Sequence, residues 1–98
     1  MKRVIWSETA TKDLAEIKAY LTENYSLSIA EQNIAALVAA TYWLLEYPGA
    51  GSLIGSGKRR KWRPKGLRHM LLYTPFSDGI RVSRVRHERN DWRPVPRD

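Results

Sequence analysis

The residues best suited to chemistry lie in one stretch, from Lys58 to Trp92, which holds both histidines and most of the cations of the chain. An imidazole has an ordinary pKa of about 6.5, so it can accept or donate a proton near neutral pH. Guanidinium groups bind phosphate or carboxylate oxygens through two parallel hydrogen bonds. The arginines available for such contacts are Arg68, Arg81, Arg84, Arg86 and Arg89. This stretch therefore predicts a site for a phosphate-bearing or acidic partner.

The positive charge is concentrated in that half of the chain. The 98 residues carry a net charge of +7. Residues 1–57 hold four Lys/Arg against six Asp/Glu, whereas residues 58–98 hold thirteen against four. Such asymmetry is typical of a surface that binds a polyanion or an acidic partner. A solvated face that only keeps the protein soluble is the alternative.

Several function classes find no support in the composition. The chain has no cysteine, which excludes disulfides, thiolate chemistry and cysteine-based zinc sites. Two histidines are too few for a histidine-based metal cage, so we expect neither a metal nor a cofactor. The glycine-rich segment 49–57 lacks the spacing of a phosphate-binding loop. Without a signal-peptide core or an apolar run near eighteen residues, we expect a cytoplasmic protein that does not enter the membrane.

The first half of the chain predicts a strand and two helices. Residues 3–6 are β-branched and aromatic, and Ser7 is a suitable N-cap for a helix over residues 8–23. Apolar residues at helical spacing follow, at Ala10, Leu14, Ile17 and Leu21. After a break at residues 24–26, Ser28 and Glu31 predict a capping box that opens a second helix, which Pro48-Gly49 ends. The two helices are expected to form an antiparallel hairpin.

The second half predicts a sheet. Residues 59–63 form a short basic strand, residues 67–74 a second strand, residues 75–79 a turn, and residues 80–87 a third strand. Simple alternation places Ile80, Val82, Arg84 and Arg86 on one face of the third strand. Because neither face is wholly apolar, we expect the sheet to be covered on one side only.

The order of elements predicts an α+β fold, in which an N-terminal strand and a helical hairpin pack on a small, mainly antiparallel sheet. At this length a single domain is expected. We assign it residues 1–92, followed by a short C-terminal tail at residues 93–98, where two prolines occur.

The order and spacing of four pieces resemble the RelE/ParE superfamily of toxins from bacterial type II toxin–antitoxin pairs. These pieces are WSETATKDL at residues 6–14, LLEYP at 44–48, LLY at 71–73 and IRVSRVRHERNDW at 80–92. The resemblance implies a small toxin with two helices on a curved sheet of three to five strands. It also implies a cognate antitoxin that wraps an extended segment around the toxin, with contact to operator DNA only through that antitoxin.

The superfamily has two functional branches. RelE-like members are ribosome-dependent endoribonucleases that cut mRNA without a metal, whereas ParE-like members poison DNA gyrase and are not catalysts. The nuclease branch usually has an arginine three residues before Tyr73, where this chain has Met70, and a tyrosine near the C-terminus, which is missing here. The resemblance therefore favours the ParE-like branch. On the nuclease alternative, the catalytic candidates are His87, Arg68, Arg84 and Arg89.

A wider set of residues is expected to bind the target or the antitoxin. It comprises Arg59, Arg60, Lys61, Trp62, Arg63, Arg68, Arg81, Arg84, Arg86, His87, Arg89 and Trp92. Structural roles compete with these assignments: His87 can be a strand-end histidine bonded to a neighbouring loop, and His69 fits a core or edge position. A plain nucleic-acid-binding domain is a third possibility, although no helix-turn-helix or zinc pattern supports it.

Overall fold

Ser7 starts the first helix as predicted and also ties that helix to the sheet. The computed structural model describes residues 2–88. The hydroxyl oxygen of Ser7 accepts a hydrogen bond from the backbone N–H of Ala10 at 2.9 Å and donates one to the carbonyl of Ser83 at 2.9 Å. The serine thus satisfies one of the free donors at the helix N-terminus and fixes the helix on the last strand.

The α+β architecture is confirmed. Its elements are β1 (Arg3–Trp6), α1 (Glu8–Asn24), α2 (Leu27–Glu46), β2 (Ser52–Leu53), β3 (Arg60–Trp62), β4 (His69–Phe76) and β5 (Gly79–His87). The strands form one sheet in the order β1-β5-β4-β3-β2. Strand β1 runs parallel to β5, and the other neighbouring strands are antiparallel. No helix within residues 2–88 is both long enough and apolar enough to cross a bilayer.

The second helix begins two residues earlier than predicted. Ser26, with an extended backbone (φ −164°, ψ 161°), is the N-cap of α2, and its hydroxyl oxygen accepts from the N–H of Ile29 at 3.1 Å. Ser28 is already inside the helix, where its hydroxyl oxygen accepts from the side-chain amide of Gln32. Both serines can cap a helix, and the tight connection through Tyr25 selects the earlier one.

The strands differ from the predicted ones at their ends. The glycine-rich segment predicted as a loop contains the short strand β2, which pairs with β3. Strand β4 continues through Pro75 to Phe76, and Phe76 pairs with Gly79. The predicted five-residue turn is therefore reduced to Ser77 and Asp78, the two-residue loop of a tight β-hairpin.

A β-bulge at Ser83 changes which residues share a face. Leu72 pairs with Arg84, whereas Tyr73 pairs with Val82, so Ser83 has no residue directly opposite. Its hydroxyl group donates to the carbonyl oxygen of Leu72 at 3.0 Å. One extra residue in a strand reverses the alternation beyond it.

The predicted faces of the last strand are therefore wrong. Ile80 and Val82 share the helix-covered face with Val85, not with Arg84 and Arg86, which point away from this core. The core between helices and sheet consists of Ala10, Leu37, Leu44, Leu71, Tyr73, Ile80, Val82 and Val85.

The expectation of a sheet covered on one side only is also wrong for the middle of β4. Met70 and Leu72 lie on the face away from the helices, yet their exposed fractions are 7% and 2%. Strand β4 thus has buried side chains on both faces, which is typical of a central strand.

Candidate functional site

A groove opens where the helical hairpin meets the ends of β4 and β5. It has a volume of about 430 Å³. Helix α1 contributes Tyr20, the connection between the helices contributes Tyr25, and helix α2 contributes Ile29 and Asn33. The sheet side contributes His87 on β5 and His69 on β4, and the loop before β4 contributes Gly66 and Arg68. We call this the histidine groove.

The two histidines lie side by side on neighbouring strands in this groove. His69 on β4 pairs with His87 on β5, and the imidazole centroids are 5.2 Å apart with perpendicular rings. The Nδ1 atom of His69 is buried and has no hydrogen-bond partner among residues 2–88. Burial lowers the pKa of His69 below its ordinary value of 6.5, the neighbouring His87 lowers this pKa further, and Glu88 opposes the shift. These surroundings therefore favour the neutral form of His69.

This environment makes the stability of the protein depend on pH. The folded-state pKa of His69 is lowered, so the unfolded chain binds this proton more readily. The contribution of His69 to the free energy of unfolding is present above pH 6.5 and is lost as the pH falls through the lowered folded-state pKa. We expect His69→Gln to reduce the loss of stability between about pH 7.5 and pH 5.5. Urea unfolding followed by tryptophan fluorescence at several pH values measures this slope.

The matched control is His87→Gln. Burial is the larger cause of the shift and remains in this variant, so most of the slope contributed by His69 should remain as well. An unchanged slope in His69→Gln would show that His69 titrates normally.

A second groove of about 340 Å³ shares Tyr20 and both histidines with the first. At its wall, Asp13 on α1 binds Arg84 on β5. The Nε atom of Arg84 donates to Oδ2 of Asp13 at 2.8 Å and its Nη2 atom donates to Oδ1 at 3.3 Å. The backbone N–H of Val85 also donates to Oδ2 of Asp13 at 2.9 Å. Arg84 therefore joins the first helix to the sheet, beside the position where β5 no longer pairs with β1.

Tyr73 is buried and its hydroxyl group is occupied. It donates to the carbonyl of Pro48 at 2.8 Å and accepts from the N–H of Gly51 at 2.9 Å. Burial raises the pKa of this phenol. Tyr73 thus holds the segment after α2 against the sheet and lines neither of these two grooves.

Two of the predicted binding residues on β3 stabilise the fold. Arg60 donates from Nη1 to the carbonyl oxygens of Gly49 and Gly51, at 3.2 and 2.6 Å. Trp62 stacks on Trp43 of α2, with ring centroids 5.0 Å apart. These side chains fasten the end of α2 and the following loop to the sheet.

The remaining predicted residues are dispersed. Arg63 forms an ion pair with Glu88 at 3.2 Å, and Lys61 pairs in register with Leu72 on the face away from the helices. Arg81 is exposed near the hairpin turn, and Arg59 is half-buried before β3. Arg68 and His87 are brought together in the histidine groove. The predictions for Arg89, Trp92 and the tail at residues 93–98 lie outside the described residues.

The helix side of the groove was missed by the sequence reasoning. Tyr20, Tyr25 and Ile29 expose 59%, 68% and 40% of their surface. The available signal was that Tyr20 and Tyr25 are large aromatic residues outside the predicted apolar stripe. Among residues 2–88, no three His, Asp or Glu side chains lie close enough together to hold a metal ion.

Comparisons with known proteins agree with this fold. The chain matches a solved structure described as the chromosomal ParDE toxin–antitoxin system from P. aeruginosa, with a TM-score of 0.77 and 17% identity, over 89% of this chain and 96% of that one. It also matches the YoeB dimer from Staphylococcus aureus, with a TM-score of 0.56 and 16% identity, over 88% and 95% of the two chains. No curated protein matches significantly.

The family model for the ParE toxin of the type II toxin–antitoxin system parDE matches residues 4–92. This match covers nearly the whole chain and spans the hairpin, the sheet and both histidines. Membership of such a family implies an antitoxin partner. The protein is therefore a member of the ParE toxin family of type II toxin–antitoxin systems.

Proposed function

We propose that this protein arrests bacterial growth by poisoning DNA gyrase, and that a cognate antitoxin encoded beside it neutralises it. The observation that carries the proposal is the buried hydroxyl of Tyr73, which is bonded to Pro48 and Gly51. A tyrosine in that position cannot transfer a proton to or from RNA. Met70, where the nuclease branch has an arginine, is buried and uncharged.

The ion pair of Arg84 supports the same proposal. A cation that stabilises a phosphorane must face the reacting phosphate. The guanidinium of Arg84 instead makes two hydrogen bonds to Asp13, a carboxylate whose side chain is only 12% exposed. On this proposal, the exposed basic residues of the second half of the chain bind a protein target. Because gyrase acts in the cytoplasm, the toxin acts there as well.

The test is a supercoiling assay with purified gyrase, relaxed plasmid and ATP. We expect the protein to inhibit supercoiling and to trap cleaved DNA, and we expect addition of the antitoxin to restore activity. Expression without the antitoxin should arrest growth and induce the DNA-damage response. Normal supercoiling at a large excess of toxin, together with mRNA cut in the ribosomal A site, would contradict the proposal.

A metal-independent endoribonuclease is the second candidate, and one observation favours it. His69 and His87 face each other in a groove that also contains Arg68. Two imidazoles beside a cation can supply a general base, a general acid and a phosphate contact. If the protein cleaves mRNA, His87→Ala should reduce the rate by about 10²-fold or more.

A further inference from the structure

We propose that the histidine groove is the docking site for a short antitoxin segment, which inserts an apolar side chain between the helices and places a carboxylate against Arg68. This inference rests on the antitoxin pairing given under the proposed function and adds where and by which chemistry the partner binds. It concerns the groove between Tyr20, Tyr25 and Ile29 on the helical hairpin and Arg68 on the sheet side.

The helix side of the groove exposes more apolar surface than folding requires. Tyr20, Tyr25 and Ile29 line the groove and expose between 40% and 68% of their surface, and Leu27, which is 52% exposed, lies between the last two in the chain. Clustered exposed apolar residues mark interaction surfaces, and tyrosine is among the residues that contribute most to binding energy. The volume of about 430 Å³ lies within the range of about 300–1,000 Å³ typical of binding pockets.

The sheet side of the groove favours a negatively charged occupant. Arg68 is exposed, and within residues 2–88 its guanidinium forms no ion pair. Among those residues, no aspartate or glutamate lines the groove. A carboxylate is the group that matches a guanidinium in shape and charge. The amide nitrogen of Asn33 donates to the carbonyl of Ile29, so its oxygen can accept an N–H of a peptide backbone.

The same features favour a peptide over a nucleic acid or a second copy of this chain. Nucleic acid is bound through several phosphate contacts, and the groove contains one arginine and none of the lysines from Lys58 to Lys65. A second copy would bring together two molecules of net charge +7. An acidic and apolar segment of the antitoxin satisfies both sides of the groove.

The experiment measures the affinity of the full chain for the protein encoded by the adjacent gene, by isothermal titration calorimetry. We expect Tyr25→Ala and Arg68→Glu each to raise the Kd about tenfold or more. Ile29→Arg, which places a charge in the apolar part, should raise it further. All three side chains are solvent-exposed, so the variants should fold, and circular dichroism checks this.

Two matched controls separate the groove from other surfaces. Tyr42→Ala removes a tyrosine of similar exposure (62%) near the other end of α2, and Lys18→Glu reverses an exposed charge on α1 outside the groove. Both should change the Kd less than about threefold. If the controls weaken binding as much as the groove variants, or if the groove variants bind like the unmodified chain, the proposal is wrong.

The carboxylate is tested by reversing charges in the partner. Each acidic residue of the antitoxin is replaced by lysine and combined with Arg68→Glu. One such replacement should recover most of the lost affinity, whereas failure of every replacement would refute the predicted ion pair. The gyrase assay has a separate readout: a chain that leaves gyrase active would refute the proposed target, and the affinity series would still decide the docking site.

Discussion

Gly79→Ala is expected to lower the free energy of unfolding by on the order of 4 kcal/mol, because it adds a steric clash to an unfavourable backbone conformation. Gly79 has φ of +145°, a region that residues with a side chain rarely adopt. A Cβ atom at this position would overlap the carbonyl oxygen of Arg3. Since Arg3 pairs with Gly79, β1 could remain on the sheet only by moving away from β5. Urea and thermal unfolding measure the loss.

Two other glycines separate the causes. Gly66 has φ of +83° but no atom within 4 Å of an added Cβ, so Gly66→Ala should cost only the backbone strain, about 1–3 kcal/mol. Gly57 has open space and no positive φ, so Gly57→Ala should be neutral or slightly stabilising. If Gly79→Ala is no less stable than Gly66→Ala, the close approach of β1 is not a constraint on this fold.

Asp13→Ala is expected to cost about 2–3 kcal/mol, because one carboxylate serves three donors. The change leaves the N–H of Val85 without its acceptor and removes the ion pair with Arg84. Asp13 has a side chain that is 12% exposed, but Arg84 is 37% exposed and can turn to water, which limits the loss. Chemical unfolding measures the difference between the variant and the unmodified chain.

A second ion pair on the same helix provides the control. Glu8 and Lys12 are 3.8 Å apart with side chains 87% and 74% exposed, so Glu8→Ala should cost less than about 1 kcal/mol. Asp13→Asn should fall between the two, since an amide oxygen can still accept from Val85. Equal stabilities of Asp13→Ala and Glu8→Ala would mean that the contact between α1 and β5 does not depend on this carboxylate.

The helices could be predicted because their signals are local. Ser7 is a good cap directly before a residue pattern with helical spacing, and both features lie within a few residues of each other. The start of α2 was predicted two residues too late, because Ser26 and Ser28 can both cap a helix. Only the short connection between the helices distinguishes them, and that connection depends on how α1 and α2 pack.

The sheet could be predicted in outline and not in register. Strand β2 has only two residues, Ser52 and Leu53, which is too short for alternation to show. The bulge at Ser83 depends on pairing with β4, so nothing in the sequence of β5 alone indicates it. For the same reason, the ion pair between Asp13 and Arg84, which are 71 residues apart in the chain, could not be anticipated.

The candidate site was predicted in part. The concentration of charge and histidine from residue 58 onwards led to Arg68 and His87, which do share a groove. The same reasoning included Arg60 and Trp62, whose side chains have structural contacts, because charge and aromaticity do not reveal what a side chain touches. Tyr20 comes from α1 and Tyr25 from the connection after it, far from residue 58 in the chain, and both join the groove only when the chain folds.

The bulge at Ser83 divides the last strand into two segments with different contacts. Before it, Ile80 and Val82 are bound to the core and to β1, so substitutions there carry a cost in folding. After it, Arg84 and Arg86 point away from the core, and His87 lines the groove. Deleting this single serine would leave the alternating run IRVRVRH, in which Val85 still faces the helices and the arginines still face away. Substitutions of Arg86 and His87 should therefore cost less folding stability than substitutions of Ile80, Val82 or Val85, and they are the changes in this strand by which a new partner specificity can arise.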